Sequence, residues 1–485
     1  MTTTVNFIYK RKQIKIETDD IVLFEKVRRH LSVPNPNSRY MSSFASDTFS
    51  PISPLGYFAA GLIYTVMQSF KKFEPLVRVT MDDKVRDIVM PIKFKKDEIE
   101  YFSDERFEDR EYQRNVIRES LGRGRCLFEL PTSSGKSFII YSICMNLLKK
   151  HHQIQTILVL VPNLQLVKQL HGDFLEYGCN PGLVQSFSSF SDELNDAPVI
   201  IANRQWLAKH SEELPEISAV FIDEVQQLST DNDIADWVDK LPTQIRFGCS
   251  GTIPKDKIVR WGIVGIVGPI ICSVKSHEMQ KNNYIAKIDI KPIRFDHIDK
   301  PYWERTDDNF DKMHILEYEY IENHDRVMQF ICKFALGMNK NTLIMFDHTD
   351  HGERMFAMLQ GMSTTHIFRF INGEVPVEDR EDTRRIMEKN DNVILVANCK
   401  AAGVGLSIKN LHNIIFAMSG KAETKIIQAI GRMLRMNDNK IMATLYDFYH
   451  NLWYSESHFG ERVKLYRDHY RKNVLGEVKA IRIRK

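Results

Sequence analysis

The chain has 485 residues, enough for roughly three domains with hydrophobic cores of their own. Its 66 basic and 63 acidic side chains nearly balance, so any nucleic-acid binding has to come from local clusters and not from overall charge. The seven cysteines form no C-x-x-C pair, which argues against a disulfide framework or a zinc site and favours a reducing, cytoplasmic setting. The start lacks a basic segment followed by an apolar one, and the apolar runs are too short or too interrupted for a membrane span. We therefore expect neither a secretory signal nor a membrane partner.

Residues 1–100 are predicted to form a small α+β accessory domain. Two segments near the start alternate apolar and polar residues as strands do, and two later segments have helical spacing. No chemical motif falls in this part of the chain. The predicted strands are Val5–Tyr9, Gln13–Ile16 and Leu76–Thr80, and the predicted helices are Ile21–Leu31 and Gly56–Phe73.

Residues 101–283 alternate apolar strand-like runs with amphipathic helices. This pattern predicts an α/β domain with a mostly parallel sheet covered on both faces, and ligands collect at the carboxyl ends of the strands in such sheets. The predicted strands are Cys126–Leu130, Thr156–Val161, Pro198–Ala202, Ala219–Ile222 and Arg246–Cys249.

The alternation begins again in residues 284–450, which predicts a second α/β domain of similar design without a phosphate loop. A basic helical extension is expected for residues 451–485. The strands predicted for the second domain are Ile288–Phe295, Thr342–Phe346, Thr365–Arg369, Val393–Ala397, Asn413–Phe416 and Met442–Tyr446.

A phosphate-binding loop is predicted where the first of these strands runs into small residues and Gly-Lys-Ser. Backbone N–H groups of such a loop and of the following helix converge on an anion. Lys136 would reach the β- and γ-phosphates of a nucleotide, and the Ser137 hydroxyl would hold Mg²⁺. Leu130 stands where the strict motif has its first glycine, so a loop that merely packs tightly is the alternative. The expected nucleotide contacts are Thr132, Ser133, Ser134, Gly135, Lys136 and Ser137.

Two carboxylates follow the strand Ala219–Ile222 directly. Asp223 is suited to bind Mg²⁺ through water, and Glu224 to act as general base on the attacking water. The alternative is that the pair simply begins a polar loop. The preceding phosphate loop favours the catalytic interpretation.

Gln428, Arg432 and Arg435 lie on a predicted helix of the second half. The two arginines are about one helical turn apart, so their guanidinium groups leave the same face. If that face meets a transferring phosphoryl group, one arginine acts as an arginine finger. An ordinary solvated helix face is the alternative.

Two weaker signals point to further nucleotide contacts. Upstream of the phosphate loop, the amide of Gln113 offers a donor and an acceptor that could recognise the adenine edge, with Arg110 and Tyr112 beside it. In the second half, a strand ends in a Gly-rich turn at Gly403 and Gly405, which can bring backbone amides against a phosphate. A surface glutamine and a plain tight turn are the alternatives.

Taken in order, these motifs resemble those of superfamily 2 helicases over about residues 105–450. Within that superfamily the chain is similar to bacteriophage UvsW-type branch-migration helicases. It departs from them at Val225 and Gln226, where that family has a Cys-His pair after the acidic residues. The segments that carry the resemblance are Tyr112-Gln113, Leu130 to Ser137, Val161 to Asn163, Asp223 to Gln226, Ser250 to Thr252, Gly403 to Ser407 and Gln428 to Arg435.

The resemblance implies two tandem RecA-like domains that hold ATP and Mg²⁺ and track along nucleic acid. By the same resemblance Lys136, Ser137 and Asp223 bind phosphate and metal, and Glu224 is the base. Gln428, Arg432 and Arg435 become the set that senses the γ-phosphate. The implied nucleic-acid contacts are Asn163, Gln165, Asn203, His348, Ser407 and Lys409.

The sequence thus predicts an ATP-dependent DNA helicase or translocase that remodels branched DNA. The expected reactions are branch migration, fork regression and dissociation of displacement loops, with the N-terminal unit on the branch or the duplex. An RNA helicase is one alternative, and a nucleic-acid binding protein with a degenerate ATPase is another. The oligomeric state is left open, with a monomer as the expectation.

Overall fold

A computed structural model describes residues 3–35, 47–92, 94–102, 109–187, 193–229, 232–303, 312–373, 375–399, 401, 408–418, 420, 430–431, 434, 442–470 and 474–484. The chain divides into two units, residues 1–130 with 135–273 and residues 131–134 with 274–485. Within the described ranges, no helix is both long enough and apolar enough to cross a membrane.

The first unit begins with a small sheet of order β5-β2-β1-β6, in which β1 is antiparallel to β2 and parallel to β6. Val5 and Phe7 alternate with exposed residues along β1 and form the core of this sheet. The elements are β1 Thr4–Lys10, β2 Gln13–Glu17, α1 Ile21–His30, β3 Val33–Pro34, β4 Thr48–Phe49, β5 Tyr57–Phe58, α2 Ile63–Phe73, β6 Arg78–Met81 and α3 Asp83–Val89.

The same unit contains, in its described residues, a parallel sheet of seven strands in the order β13-β7-β12-β11-β8-β10-β9. Its central strands are apolar and buried along almost their whole length, as expected for a sheet covered on both faces. The elements are α4 Glu111–Arg123, β7 Arg125–Glu129, α5 Lys136–Lys150, β8 Ile157–Val161, α6 Leu164–Glu176, β9 Val184–Ser186, β10 Val199–Asn203, α7 Arg204–His210, β11 Ala219–Asp223, α8 Asn232–Lys240, β12 Arg246–Ser250, α9 Lys257–Val267 and β13 Ile270–Ser273.

The five strands predicted for this sheet are present, with ends shifted by a residue or so. Two edge strands, β9 and β13, were not predicted. β9 has only three residues, and β13 follows Gly268 and Pro269, which indicated an irregular connection. Short edge strands carry too little periodicity to be recognised locally.

The small sheet packs on the parallel sheet through a contact between two helical glycines. A Cβ added to Gly61, just before α2, would lie 1.9 Å from the carbonyl oxygen of Val264 in α9. A Cβ added to Gly265 would lie 2.9 Å from that of Ala59. Nearby, Phe49 stacks on Trp261 with ring centroids 6.3 Å apart. Both glycines are therefore required for this close approach.

The second unit holds another parallel sheet, with seven strands among the residues that the structure describes, in the order β16-β17-β15-β18-β19-β14-β20. All six strands predicted here are present. The expected α/β class with two RecA-like sheets and a small N-terminal α+β part is thereby confirmed. The elements are α10 Ser276–Lys281, β14 Lys287–His297, α11 Met313–Glu322, α12 Asp325–Leu336, β15 Thr342–Phe346, α13 Thr349–Met362, β16 Ile367–Ile371, α14 Val377–Lys389, β17 Val393–Asn398, β18 Asn413–Phe416, β19 Met442–His450, α15 Trp453–His469 and β20 Lys479–Ile483.

The C-terminal segment differs from the predicted helical extension. The helix α15 is present, but residues 479–483 form β20, which pairs with β14 and so belongs to the second sheet. Basic residues dominate this stretch and suggested a charged tail, whereas Ile481 and Ile483 lie among them at strand spacing and pack into the core. The fold of the second sheet therefore extends beyond residue 450.

α15 is fastened to this sheet by a buried ion pair. The Arg462 guanidinium donates to both carboxylate oxygens of Asp447 in β19, at 2.7 and 3.0 Å, and the Tyr466 hydroxyl donates to the same carboxylate at 2.7 Å. Arg462 also donates to the carbonyl oxygen of Gly420 at 2.9 Å. The side chains of Arg462 and Asp447 are only 1% and 0% exposed. Breaking this pair would leave an uncompensated buried charge.

We therefore predict that Arg462→Met lowers the free energy of unfolding by about 3–5 kcal/mol, measured by urea denaturation with intrinsic fluorescence. The matched control is Lys464→Met on the same helix, whose pair with Glu461 is exposed. The control should change stability by about 0.5 kcal/mol or less. Equal effects of the two substitutions would contradict the anchoring role of Arg462.

Candidate active site

The predicted phosphate loop lies between the carboxyl end of β7 and the first turn of α5. Ser133 and Gly135 have left-handed backbone conformations, with φ of 67° and 75°. This conformation is easy for glycine and strained for serine. The Lys136 ammonium donates to the carbonyl oxygen of Leu130 at 3.3 Å, across the base of the loop. A loop of this shape at a helix N-terminus can surround an anion with backbone N–H groups.

Gln113 lies directly against this loop. Its side chain is buried, its Oε1 accepts from the Arg110 backbone N–H at 2.8 Å, and a Cβ on Gly135 would lie 2.4 Å from its Nε2. The Arg110 guanidinium donates to the Tyr112 hydroxyl at 3.3 Å. The three upstream residues thus form one hydrogen-bonded group at the start of α4, beside the loop. Recognition of adenine by this group stays a prediction.

The Ser137 hydroxyl is 2.9 Å from the hydroxyl of Tyr177, which follows α6. Tyr177 also packs edge to face on Phe138, with centroids 5.2 Å apart. Sequence reasoning missed Tyr177, because an aromatic residue just after a helix carries no signal of its own. Its position makes it the neighbour of the predicted metal ligand.

The two predicted carboxylates lie where β11 ends. Glu224 has a left-handed backbone, with φ of 51°, which turns its N–H back to the Asp223 carboxylate at 2.9 Å. The Gln226 amide donates to the Glu224 carboxylate at 2.7 Å. Gln226, where the chain departs from the family that it resembles, therefore still provides a hydrogen-bond donor to the predicted base Glu224.

The thiol of Cys249, at the end of the neighbouring strand β12, donates to Asp223 Oδ1 at 3.0 Å. Burial raises the pKa of Cys249 well above its usual range, the charge of Asp223 raises it further, and the Lys136 ammonium opposes the rise. The Glu224 carboxylate also raises this pKa. Because β12 lies between β7 and β11, Lys136 after the β7 loop and the two carboxylates at the end of β11 lie at the same edge of this sheet. Sequence reasoning missed Cys249, because it considered cysteines only as metal or disulfide pairs.

The turn after β12 is tied to β7. The Leu130 N–H donates to the carbonyl oxygen of Ser250 at 2.9 Å, and the Ile253 N–H donates to the Glu129 carboxylate at 3.1 Å. The Thr252 N–H donates to the Ser250 hydroxyl at 3.0 Å. The start of the phosphate loop and this turn consequently hold each other in place.

Two of the predicted nucleic-acid contacts have local structural roles. The Asn163 side chain accepts from the Leu166 N–H at 3.0 Å, and the Asn203 side chain accepts from the Trp206 N–H at 2.9 Å. Both are therefore helix N-caps, of α6 and α7, which explains asparagine at these positions without a nucleic acid. Asn203 is also buried, with 1% exposure. Gln165 lies in the first turn of α6.

Arg204, which follows Asn203, was missed by the sequence analysis. Its side chain is exposed and lines a pocket with Asp223 and Glu224 at the carboxyl edge of the sheet. The sequence did offer a signal for Arg204, because Asn-Arg directly follows a predicted strand at the sheet edge where the other motifs lie. This basic residue therefore adds a cation to the site that the motifs did not include.

In the second unit, His348 lies at the start of α13 and its Nδ1 is 2.8 Å from the Glu322 carboxylate. Its side chain is 64% exposed, and Lys409 is exposed on a turn. Both are accessible to a ligand. The other predicted residues of this unit, Gly405, Ser407, Gln428, Arg432 and Arg435, lie outside the described residues.

Comparisons with known proteins identify a family for each half of the chain. Two family models match: the type III restriction enzyme res subunit over residues 106–255, and the helicase conserved C-terminal domain over residues 324–437. The ATP-dependent DNA helicase uvsW of Enterobacteria phage T4 is 27% identical over 356 residues, which are 72% of this chain and 69% of that relative.

Solved structures show the same fold. The type ISP restriction-modification enzyme LlaBIII bound to DNA has a TM-score of 0.58 and 12% identity, covering 86% of this chain and 34% of the other. S. cerevisiae Dbp5 bound to RNA and ADP BeF3 has a TM-score of 0.54 and 13% identity, covering 77% and 89%. The two matched family models together span more than half of the chain, one on each parallel sheet. The chain therefore belongs to superfamily 2 of helicases, which are ATP-hydrolysing enzymes.

Proposed function

We propose that the protein is an ATP-dependent DNA helicase or translocase that remodels branched DNA. The observation that carries the ATPase part is that Lys136, which follows the loop after β7, and the carboxylates at the end of β11 lie at the same edge of one parallel sheet, on either side of β12. The preference for DNA comes from the phage T4 relative, which is named a DNA helicase. Branch migration, fork regression and dissociation of displacement loops are proposed from the UvsW-type resemblance.

The residues present suit a magnesium nucleotide. Gly135 has a left-handed backbone, with φ of 75°, which glycine adopts without strain where a loop turns its N–H groups towards a phosphate. Ser137 and Asp223 offer a hydroxyl and a carboxylate, the oxygen ligands that Mg²⁺ prefers. When bound, Mg²⁺ would neutralise charge that develops on the phosphates.

In this proposal the loop amides and Lys136 hold the triphosphate. Glu224, held by Gln226, orients the attacking water and accepts its proton as the bond between the γ-phosphorus and the β-phosphate oxygen breaks. From the resemblance alone, we assign Gln428, Arg432 and Arg435 to stabilise charge on the transferring phosphoryl group. Arg110, Tyr112, Gln113 and Gly405 complete the proposed nucleotide contacts.

Proposed contacts to the nucleic-acid backbone come from both units. Phosphate contacts supply affinity without sequence preference, which suits a protein that moves along its substrate. The side-chain oxygens of Asn163 and Asn203 serve as caps, so a phosphate contact would use their amide NH2 groups or the backbone N–H groups of the helix start. The other proposed contacts are Gln165, His348, Ser407 and Lys409.

We further propose that the N-terminal domain contacts DNA through the β1–β2 turn. Arg11 and Lys12, with φ of 54° and 61°, occupy turn positions that favour Asn-Gly. The Arg11 guanidinium lies 5.9 Å from the ring centroid of Tyr57, and the Lys84 ammonium lies 4.8 Å from that of Tyr9. Two exposed cations in a strained turn beside aromatic rings suit a nucleic-acid contact.

Lys136→Ala should lower the DNA-stimulated rate of ATP hydrolysis by about 100-fold or more, because it removes a cation that stabilises developing phosphate charge. Fork binding in a gel-shift assay should largely survive. The control is Lys150→Ala at the other end of α5, which should retain turnover. Unchanged turnover in Lys136→Ala would remove the proposed site.

DNA and RNA forks of matched sequence, compared in one strand-displacement assay with ATP, test the substrate class. We expect unwinding of the DNA fork and displacement of strands from a DNA four-way junction. Unwinding confined to RNA would replace the proposal with an RNA helicase. ATP turnover without strand displacement on either fork or on the junction would contradict a helicase of branched DNA.

The double substitution Arg11→Asn with Lys12→Gly should weaken fork binding and reduce the slope of log affinity against log salt by about two, one for each lost phosphate contact. Because Asn-Gly suits this turn better than Arg-Lys, thermal stability should not fall. The control is Lys71→Gln with Lys72→Gln in the same domain, which removes the same charge elsewhere. Equal salt slopes in both double variants would refute a specific role for the turn.

A further inference from the structure

We propose that Cys249 is a positioning residue for Asp223, whose thiol orients the carboxylate that would hold the metal ion. The proposal rests on the metal-binding role assigned to Asp223 above. ATP hydrolysis with a bound metal ion needs this carboxylate in one orientation, and its own strand provides one hydrogen bond to it, from the Glu224 N–H. The neighbouring strand β12 supplies a second hydrogen bond, from Cys249.

Two donors converge on the same oxygen atom of Asp223. The Cys249 Sγ lies 3.0 Å from Oδ1, and the Glu224 backbone nitrogen lies 2.9 Å from it. A carboxylate held through one oxygen by two donors from different directions can rotate little about its last side-chain bond. The direction of the second oxygen, Oδ2, is thereby determined.

The sheet register makes this contact possible. Asp223 and Cys249 are paired residues of the parallel strands β11 and β12, so their side chains leave the sheet on the same face. Cys249 is fully buried, so its donor is not exchanged for water. A neutral thiol provides the hydrogen bond without adding a positive charge next to the metal ligand, as lysine or arginine would.

A cysteine at this position could instead serve only as a small apolar residue of the core. The chain provides a suitable comparison in Cys126, on β7, which is also fully buried. Its Sγ donates to the neutral Ser120 hydroxyl at 3.4 Å. Substitution at Cys126 therefore reports the packing effect alone.

The test is a titration of Mg²⁺ at fixed nucleotide on the full chain with stimulating DNA, measured both as ATP hydrolysis and as equilibrium binding of a non-hydrolysable ATP analogue. Cys249→Val keeps the volume approximately and removes the donor, and it should raise the half-saturating Mg²⁺ concentration about tenfold, as loss of a partner of a metal ligand does. The KM for ATP at saturating Mg²⁺ should stay close to that of the unmodified protein, because the phosphate loop is intact. Cys249→Ser keeps a donor and should recover most of the Mg²⁺ affinity.

Cys126→Val should leave the Mg²⁺ titration unchanged. The inference would be overturned if the half-saturating Mg²⁺ concentration rose equally in Cys249→Val and Cys249→Ser, or equally in Cys249→Val and Cys126→Val. It would also be overturned if this concentration did not change in Cys249→Val. Thermal melting identifies variants that fail to fold, and Cys249→Ala repeats the test if valine does not fit.

Asp223→Asn separates the positioning role of Cys249 from the metal-binding role of Asp223 on which it rests. If it leaves hydrolysis intact, the proposed metal residue is wrong, whereas loss of hydrolysis beside an unaffected Cys249→Val rejects only the role of Cys249.

Discussion

The parallel pairing of β7, β12 and β11 is the constraint on which the candidate active site depends. Parallel strands all end at the same edge of a sheet, so the loop after Glu129, the turn after Ser250 and the carboxylate of Asp223 arrive together. Hydrogen bonds then connect neighbouring strand ends, from Leu130 to Ser250 and from Cys249 to Asp223. Residues that are about a hundred positions apart in sequence thus share one site without any local signal that links them.

The same edge concentrates unfavourable backbone geometry. Ser133 and Glu224 are non-glycine residues in left-handed conformations, each costing of the order of 1–3 kcal/mol. At Glu224 the conformation directs the N–H at Asp223 and allows Gln226 to hold the side chain. The strain therefore lies where the proposed hydrolysis would require fixed orientation, and the buried sheet beneath stabilises it.

Elements outside the two predicted cores are joined to them by specific contacts. The N-terminal sheet packs through Gly61 on α9, a helix that follows within a few residues of the turn after β12. In the second unit, α15 and β20 complete a sheet through the buried Arg462 to Asp447 pair and through pairing with β14. Segments that appear peripheral in the sequence are thus integral parts of the folded units.

Local periodicity was sufficient to predict the α/β class and eleven strands of the two parallel sheets, and motif spacing indicated the candidate phosphate loop and carboxylates. These features depend on short-range patterns of apolar and small residues, which the chain displays directly. Only the tertiary structure decided which strands are neighbours, and with them the contact between Cys249 and Asp223, the added strands β9, β13 and β20, and the capping roles of Asn163 and Asn203. Strand pairing joins residues that are distant in the chain, and short strands or single polar side chains acquire their partners only when the sheet has formed.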